Sequence, residues 1–188
     1  MDRPASVILA AAYHEAGHAV ASWRQGDGIA GITIIPGVDP RTGRPHGGVF
    51  TLPKGGDRSA LSGWGHRYLV TTLAGPASQR KHDPRSNVLS CAGQDFSDAR
   101  MFAAAMARSR ESERALLMWA QAEARALIAA NWHLIDILAR SLFRVRQIEG
   151  ASAIAILEAV ERAEAETERI LFLRRAKGAR PFQGAPFE

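Results

Sequence analysis

Two histidines stand four residues apart near the start of the chain, with a glutamate directly after the first, in the run His14-Glu15-Ala16-Gly17-His18. The surrounding pattern predicts a helix from about Pro4 to Gln25. Proline near its first position and Gly26-Asp27-Gly28 after its end are suitable start and stop signals. On a helix, positions i and i+4 lie one above the other on the same face. Both imidazoles can therefore reach one ion. Glu15 is turned about 100° from His14 and can reach a water on that ion. Ala12, Ala16, Gly17 and Ala19 surround the histidines with small residues. That suits a helix packed closely in a core better than two solvated histidines on a surface.

This is the HExxH arrangement, and its chance occurrence in a chain of this length is on the order of 1%, low enough to treat the motif as a signal. The expected ion is zinc, one Zn2+ per chain, held by His14 and His18. Zinc lowers the pKa of bound water from 15.7 towards about 7. A carboxylate beside that water can take its proton and pass it to a leaving amine. Glu15 is thus the expected general base for peptide-bond hydrolysis. Catalytic zinc sites usually have three protein ligands, so one is still to be found. The spacing HExxHxxGxxH would put a third histidine close behind, but Ser22, Trp23 and Arg24 stand there. His46, His66, His82, His133 and several carboxylates remain, and spacing does not choose among them. The single cysteine, Cys91, rules out an internal disulfide and every multi-cysteine zinc scheme. It reads as a small buried residue.

The rest of the chain reads as mainly α. Gly31–Ile35 and Gly48–Leu52 are strand candidates, joined as a hairpin by a long Pro- and Gly-rich loop. A helix is expected over 57–74, with Gly75-Pro76 kinking or interrupting it. Residues 82–94 read as loop. Beyond them Ala- and Leu-rich sequence predicts helices to about Arg174, with breaks near 108–112, 131 and 147–150. Trp64, Trp119 and Trp132 fit apolar helix stripes and are expected in the core. His46, His66 and His82 are expected in solvent, and His133 as a packed or capping residue. With 188 residues and 46% hydrophobic content, one domain over 1–172 is expected, followed by a loose basic tail over 173–188.

The net charge is +5. Most arginines are spread along helices beside acids, and only Arg174, Arg175, Lys177 and Arg180 cluster. The charge therefore reads as solvated helix faces plus the tail, with no nucleic-acid partner expected. No stretch reaches the roughly 18–20 apolar residues of a membrane span. The apolar run Ala5 to Tyr13 lacks a basic start and a cleavage site. A cytoplasmic location is the expectation.

Several segments resemble the peptidase domain of the FtsH-type ATP-dependent zinc proteases. Tyr13-His-Glu-Ala-Gly-His-Ala19 is similar to that family's HEAGHA helix, and Ile32-Thr-Ile-Ile-Pro36 to its first strand. Leu73-Ala-Gly-Pro-Ala-Ser78 resembles its Leu-Gly-Gly-Arg-Ala-Ala segment. Gly93-Gln-Asp-Phe-Ser-Asp-Ala99 resembles its Gly-x-x-Asn-Asp-Leu stretch, and Leu134 to Gly150 is similar to its late helix pair. The likeness covers about residues 5 to 165, and only the first motif is specific.

The resemblance implies Asp95 as the third zinc ligand. On its own residues, Asp95 also suits a helix N-cap with Asp98 three positions on. The resemblance further implies an edge strand beside the metal that takes an extended polypeptide by strand addition. Gly48, Val49 and Phe50 are the candidates here. An inner hairpin strand is the competing expectation for them. Departures are also plain. No GxxxxGK(S/T) phosphate loop occurs. The family's arginine is Pro76 here, and a glutamate that usually follows is Gln79. The implied partners are a polypeptide substrate and either a homo-oligomer or a separate ATPase. The rival expectation is a metal-stabilised binding or regulatory protein with little turnover.

Overall fold

The computed structural model describes residues 4–38, 45–46, 48–52, 63–85 and 92–178. In chain order these form α1 (Ala5–Arg24), β1 (Gly31–Thr33), β2 (Gly37–Val38), β3 (Pro45–His46), β4 (Val49–Thr51) and α2 (Gly63–His82). Then come α3 (Gly93–Met106), α4 (Arg110–Ala130), α5 (Trp132–Val145), β5 (Gln147–Glu149) and α6 (Gly150–Gly178). The architecture is mainly helical with a small antiparallel sheet, as expected.

Helix α1 is the centre of the core. It is buried from Ala12 to Ser22 and packs on α2, α5 and β1. Its alanines leave little side chain between backbones, and Gly17 leaves none. A Cβ on Gly17 would lie 2.5 Å from the Ser78 Cβ and 2.7 Å from the Ala74 carbonyl oxygen. Helices α1 and α2 therefore cross in near backbone contact. Ser78 seals the crossing by donating its hydroxyl to the Tyr13 carbonyl at 2.6 Å. Gly26, with φ 79°, ends α1 in the left-handed region that a glycine tolerates.

Helix α2 corrects one expectation. It does not break at Gly75-Pro76 but runs through Pro76 to His82. An interior proline costs about 3 kcal/mol. Leu69, Val70 and Leu73, all buried on the same helix, stabilise it by about 1.5–3 kcal/mol each, which outweighs the proline. The predicted start, residues 57–62, lies outside the described residues. The expected breaks near 108–112, 131 and 147–150 all occur. Ser109 caps α4 reciprocally with Ser112. Helix α6 continues to Gly178, past the expected domain boundary at 172, while residues 179–188 lie outside the described ones.

The strands are where the sequence was least complete. β1 and β4 pair antiparallel, with Ile32 opposite Phe50, as the hairpin reading expected. On its other side β1 pairs with β5, with Ile32 opposite Ile148. That strand was read only as a helix break. The order β4-β1-β5 leaves β4 at an edge among the described residues. The hairpin loop adds a second small sheet, β2 with β3. Gly150 permits the close approach of α6 to β1, since a Cβ there would lie 1.9 Å from the Ile29 carbonyl oxygen. Of the three tryptophans expected in the core, Trp64 is buried and Trp132 packs partly buried against the core. Trp119 departs from expectation and is 39% exposed.

Candidate metal centre

The helical spacing of the motif places both histidines on the buried face of α1. Their Nε2 atoms face each other at 3.1 Å. Asp95 comes from the first turn of α3. Its Oδ2 lies 2.9 Å from His14 Nε2, and its Oδ1 3.5 Å from His18 Nε2. One donor atom from each residue falls within 4.8 Å of the other two. A tetrahedral zinc with bonds of about 2.0–2.1 Å has donor atoms about 3.3 Å apart. Two imidazoles and a carboxylate at these separations fit such an ion.

The opposite ring nitrogens fix which atoms are available. His14 Nδ1 lies 3.0 Å from Gln79 Oε1, and His18 Nδ1 lies 2.8 Å from the Thr71 carbonyl oxygen. The Thr71 carbonyl only accepts, so His18 Nδ1 carries a hydrogen. The Gln79 oxygen asks the same of His14. Both Nε2 lone pairs are then turned towards Asp95. Three electron-pair donors meeting in a buried place call for a cation or a proton. Without a metal, a proton serves. Burial alone would discharge His18, but the Asp95 carboxylate, helped by Glu15, raises its pKa to about 9. Asp95 answers in kind: burial pushes its pKa up, but His18 and His14 hold it well below the usual carboxylate range. A metal ion would displace that proton.

Close packing shapes the surroundings. A Cβ on Gly75 would lie 2.3 Å from His18 Nε2, so α2 presses bare backbone onto the ring. On the other side, Phe50 of β4 stacks on His18 with centroids 6.2 Å apart. Glu15 is buried, and its carboxylate lies against β4: a Cβ on Gly48 would be 2.7 Å from Oε1. The structure therefore brings together His14, His18, Asp95, Glu15, Gly48 and Phe50. Val49 is half-buried on the same strand.

Asp95 is not the N-cap. Ala92 holds that position without a side-chain bond, and Asp98 accepts from Gln94 instead. In the first turn the helix dipole still favours a carboxylate. Among the described side chains, the other histidines stay out of the cluster. His66 is exposed and meets Trp119 edge-on. His133 is exposed and lies 3.2 Å from Glu164, so it does not cap or pack as expected. His82, expected in solvent, is half-buried and stacks on Tyr13 at 3.8 Å. Cys91 and the side chain of His46 lie outside the described residues.

Sequence reasoning passed over Gln79 as a positioning group, although its place one helical turn after Gly75 was a usable signal. The Thr71 carbonyl carries no residue-type signature. In class, then, the site is a candidate three-ligand metal centre on an HExxH helix. Comparison of the chain with protein-family models and with curated proteins finds no match. The likeness to FtsH-type peptidases accordingly rests on the short segments quoted above.

Proposed function

We propose that the chain is a zinc-dependent endopeptidase acting on extended polypeptides. The observation that carries this reading is the convergence of His14 Nε2, His18 Nε2 and Asp95 beside the buried carboxylate of Glu15. His14, His18 and Asp95 would hold the ion. A zinc ion bound there supplies Lewis acidity and an acidified water. Glu15 takes the proton of the attacking water and returns it to the leaving amine. Gln79 and the Thr71 carbonyl keep both rings in the ligating tautomer. β4 offers its outer edge to a substrate strand, with Gly48, Val49 and Phe50 along the path. Backbone pairing there gives affinity with little sequence preference.

The test is metal content and casein cleavage on the same samples. Wild type is expected to hold about one zinc per chain and to cleave. His14→Ala and Asp95→Ala are expected to lose zinc, while Glu15→Gln keeps zinc and loses cleavage. Zinc without cleavage in the wild type would favour a metal-stabilised binding protein. Normal zinc in Asp95→Ala would remove the third ligand.

A further inference from the structure

Helix α6 begins in the core, with Ala153 and Leu157 fully buried, and Glu164 still reaches His133 of α5, but its far half is exposed. Every residue from Arg162 to Leu173 is exposed. At 1.5 Å per residue, the stretch from Arg162 to Gly178 is roughly 25 Å long. Its first part is charged, as a solvated helix should be. Four large apolar residues then follow in succession: Ile170, Leu171, Phe172 and Leu173 are 42%, 48%, 71% and 45% exposed. Successive residues are turned by about 100°, so the four encircle the helix. A run of this kind in solvent marks an interaction site or a liability to aggregate. Arg174, Arg175, Lys177 and Arg180 come directly after it.

We propose that this apolar ring and the basic residues behind it form a contact with the surface of an anionic lipid bilayer. Three features select that occupant. A second helix would cover one side of the ring, whereas headgroups and acyl chains can surround it. The preceding turn, Glu166, Thr167, Glu168 and Arg169, continues no apolar stripe along which a partner helix would seat. One turn is also far short of the roughly 800 Å² per partner that a standard protein interface buries. Finally, the basic cluster that follows the ring in sequence is drawn to anionic headgroups. Glu166 and Glu168 are repelled by the same surface, which confines the contact to the ring and the residues behind it. No single helix among the described residues is long and apolar enough to cross a bilayer, and the contact proposed is one with the bilayer surface.

The experiment is co-sedimentation of the full chain with vesicles of phosphatidylcholine alone or mixed with phosphatidylglycerol. Wild type is compared with Phe172→Glu and with the pair Arg174→Glu/Arg175→Glu. The substituted positions are far from the core, and circular dichroism checks that the fold persists. Wild type is expected to bind the mixed vesicles and not the neutral ones. Each variant is expected to weaken binding by at least about fivefold, and added salt to weaken it further. The proposal is overturned if wild type ignores the mixed vesicles, or if Phe172→Glu binds them as well as wild type. It is equally overturned if, without vesicles, sedimentation velocity shows a dimer that Phe172→Glu dissolves, since the ring would then seat on a second copy. Binding of a DNA duplex that survives Phe172→Glu, in a chain that ignores vesicles, would assign the basic cluster to nucleic acid instead.

Discussion

Gln79 determines which nitrogen of His14 faces His18 and Asp95. Its amide oxygen is the acceptor for Nδ1, and the residue is almost fully buried. Gln79→Leu would leave that N–H without a partner and free the ring to change tautomer. Zinc affinity, measured by competition with a chromophoric chelator, is expected to fall about 10–100-fold, and Gln79→Glu to keep it. Equal affinity in the leucine variant would mean that the ring is oriented by packing alone. Next to His14, Tyr13 tests the electrostatics. It is buried and donates its hydroxyl to Asp136, whose carboxyl is held low chiefly by its hydrogen bond with Arg140. Burial, then the bond to Asp136, raises the Tyr13 pKa to about 12. The sign follows from linkage. Below the ordinary tyrosine value of about 10 the neutral phenol is favoured in both states, and its contribution to stability is complete. As pH rises towards 12 only the unfolded chain gains by ionising, and the contribution is lost. The stability advantage of wild type over Tyr13→Phe, about 1–3 kcal/mol at neutral pH for a bond to a charged acceptor, should therefore shrink between pH 10 and 12. A constant gap would contradict the burial of this hydroxyl.

At the scale of elements, the α1–α2 crossing governs the site. Gly17→Ala would raise helix propensity, by about 1 kcal/mol at an exposed site. Here the added methyl meets Ser78 and the Ala74 carbonyl. A net loss of about 1–3 kcal/mol is expected in urea unfolding, and a gain would show that the helices can part. Gly75→Ala presses on the His18 ring itself. It is expected to reduce zinc affinity more than stability. Elements whose signals are local were legible in the sequence: α1 from its period and its bracketing Pro and Gly, the β1–β4 hairpin from β-branched residues, and the three helix breaks. The histidine pair was legible because four residues on one helix fix its geometry. Asp95 was not, because its meeting with the histidines is made by tertiary packing; only the resemblance selected it. Gln147–Glu149 is too short for a period, and its partner lies far back in the chain. Pro76 misled because a local rule was outweighed by burial on both sides of it.

For the whole molecule, β5 ties the two ends of the chain together. It pairs with β1, whose other neighbour is β4, and Arg146, left-handed at φ 69°, turns the chain into it at the end of α5. The Arg146 carbonyl accepts from the Ile34 amide at 2.9 Å, which fastens the loop after β1. A chain cut before Gln147 is expected to lose cooperative unfolding and to bind zinc weakly, and stoichiometric zinc in that fragment would argue that the sheet is dispensable. The same connection has a consequence in time. A ribosome delivers α1 before Asp95, and Asp95 before β5. Until Asp95 emerges the histidine pair is present without its carboxylate, and until β5 emerges β1 lacks one neighbour. By this order of assembly the three donor groups can converge only once α3 has followed α1 and α2, and the sheet that backs them is completed later still.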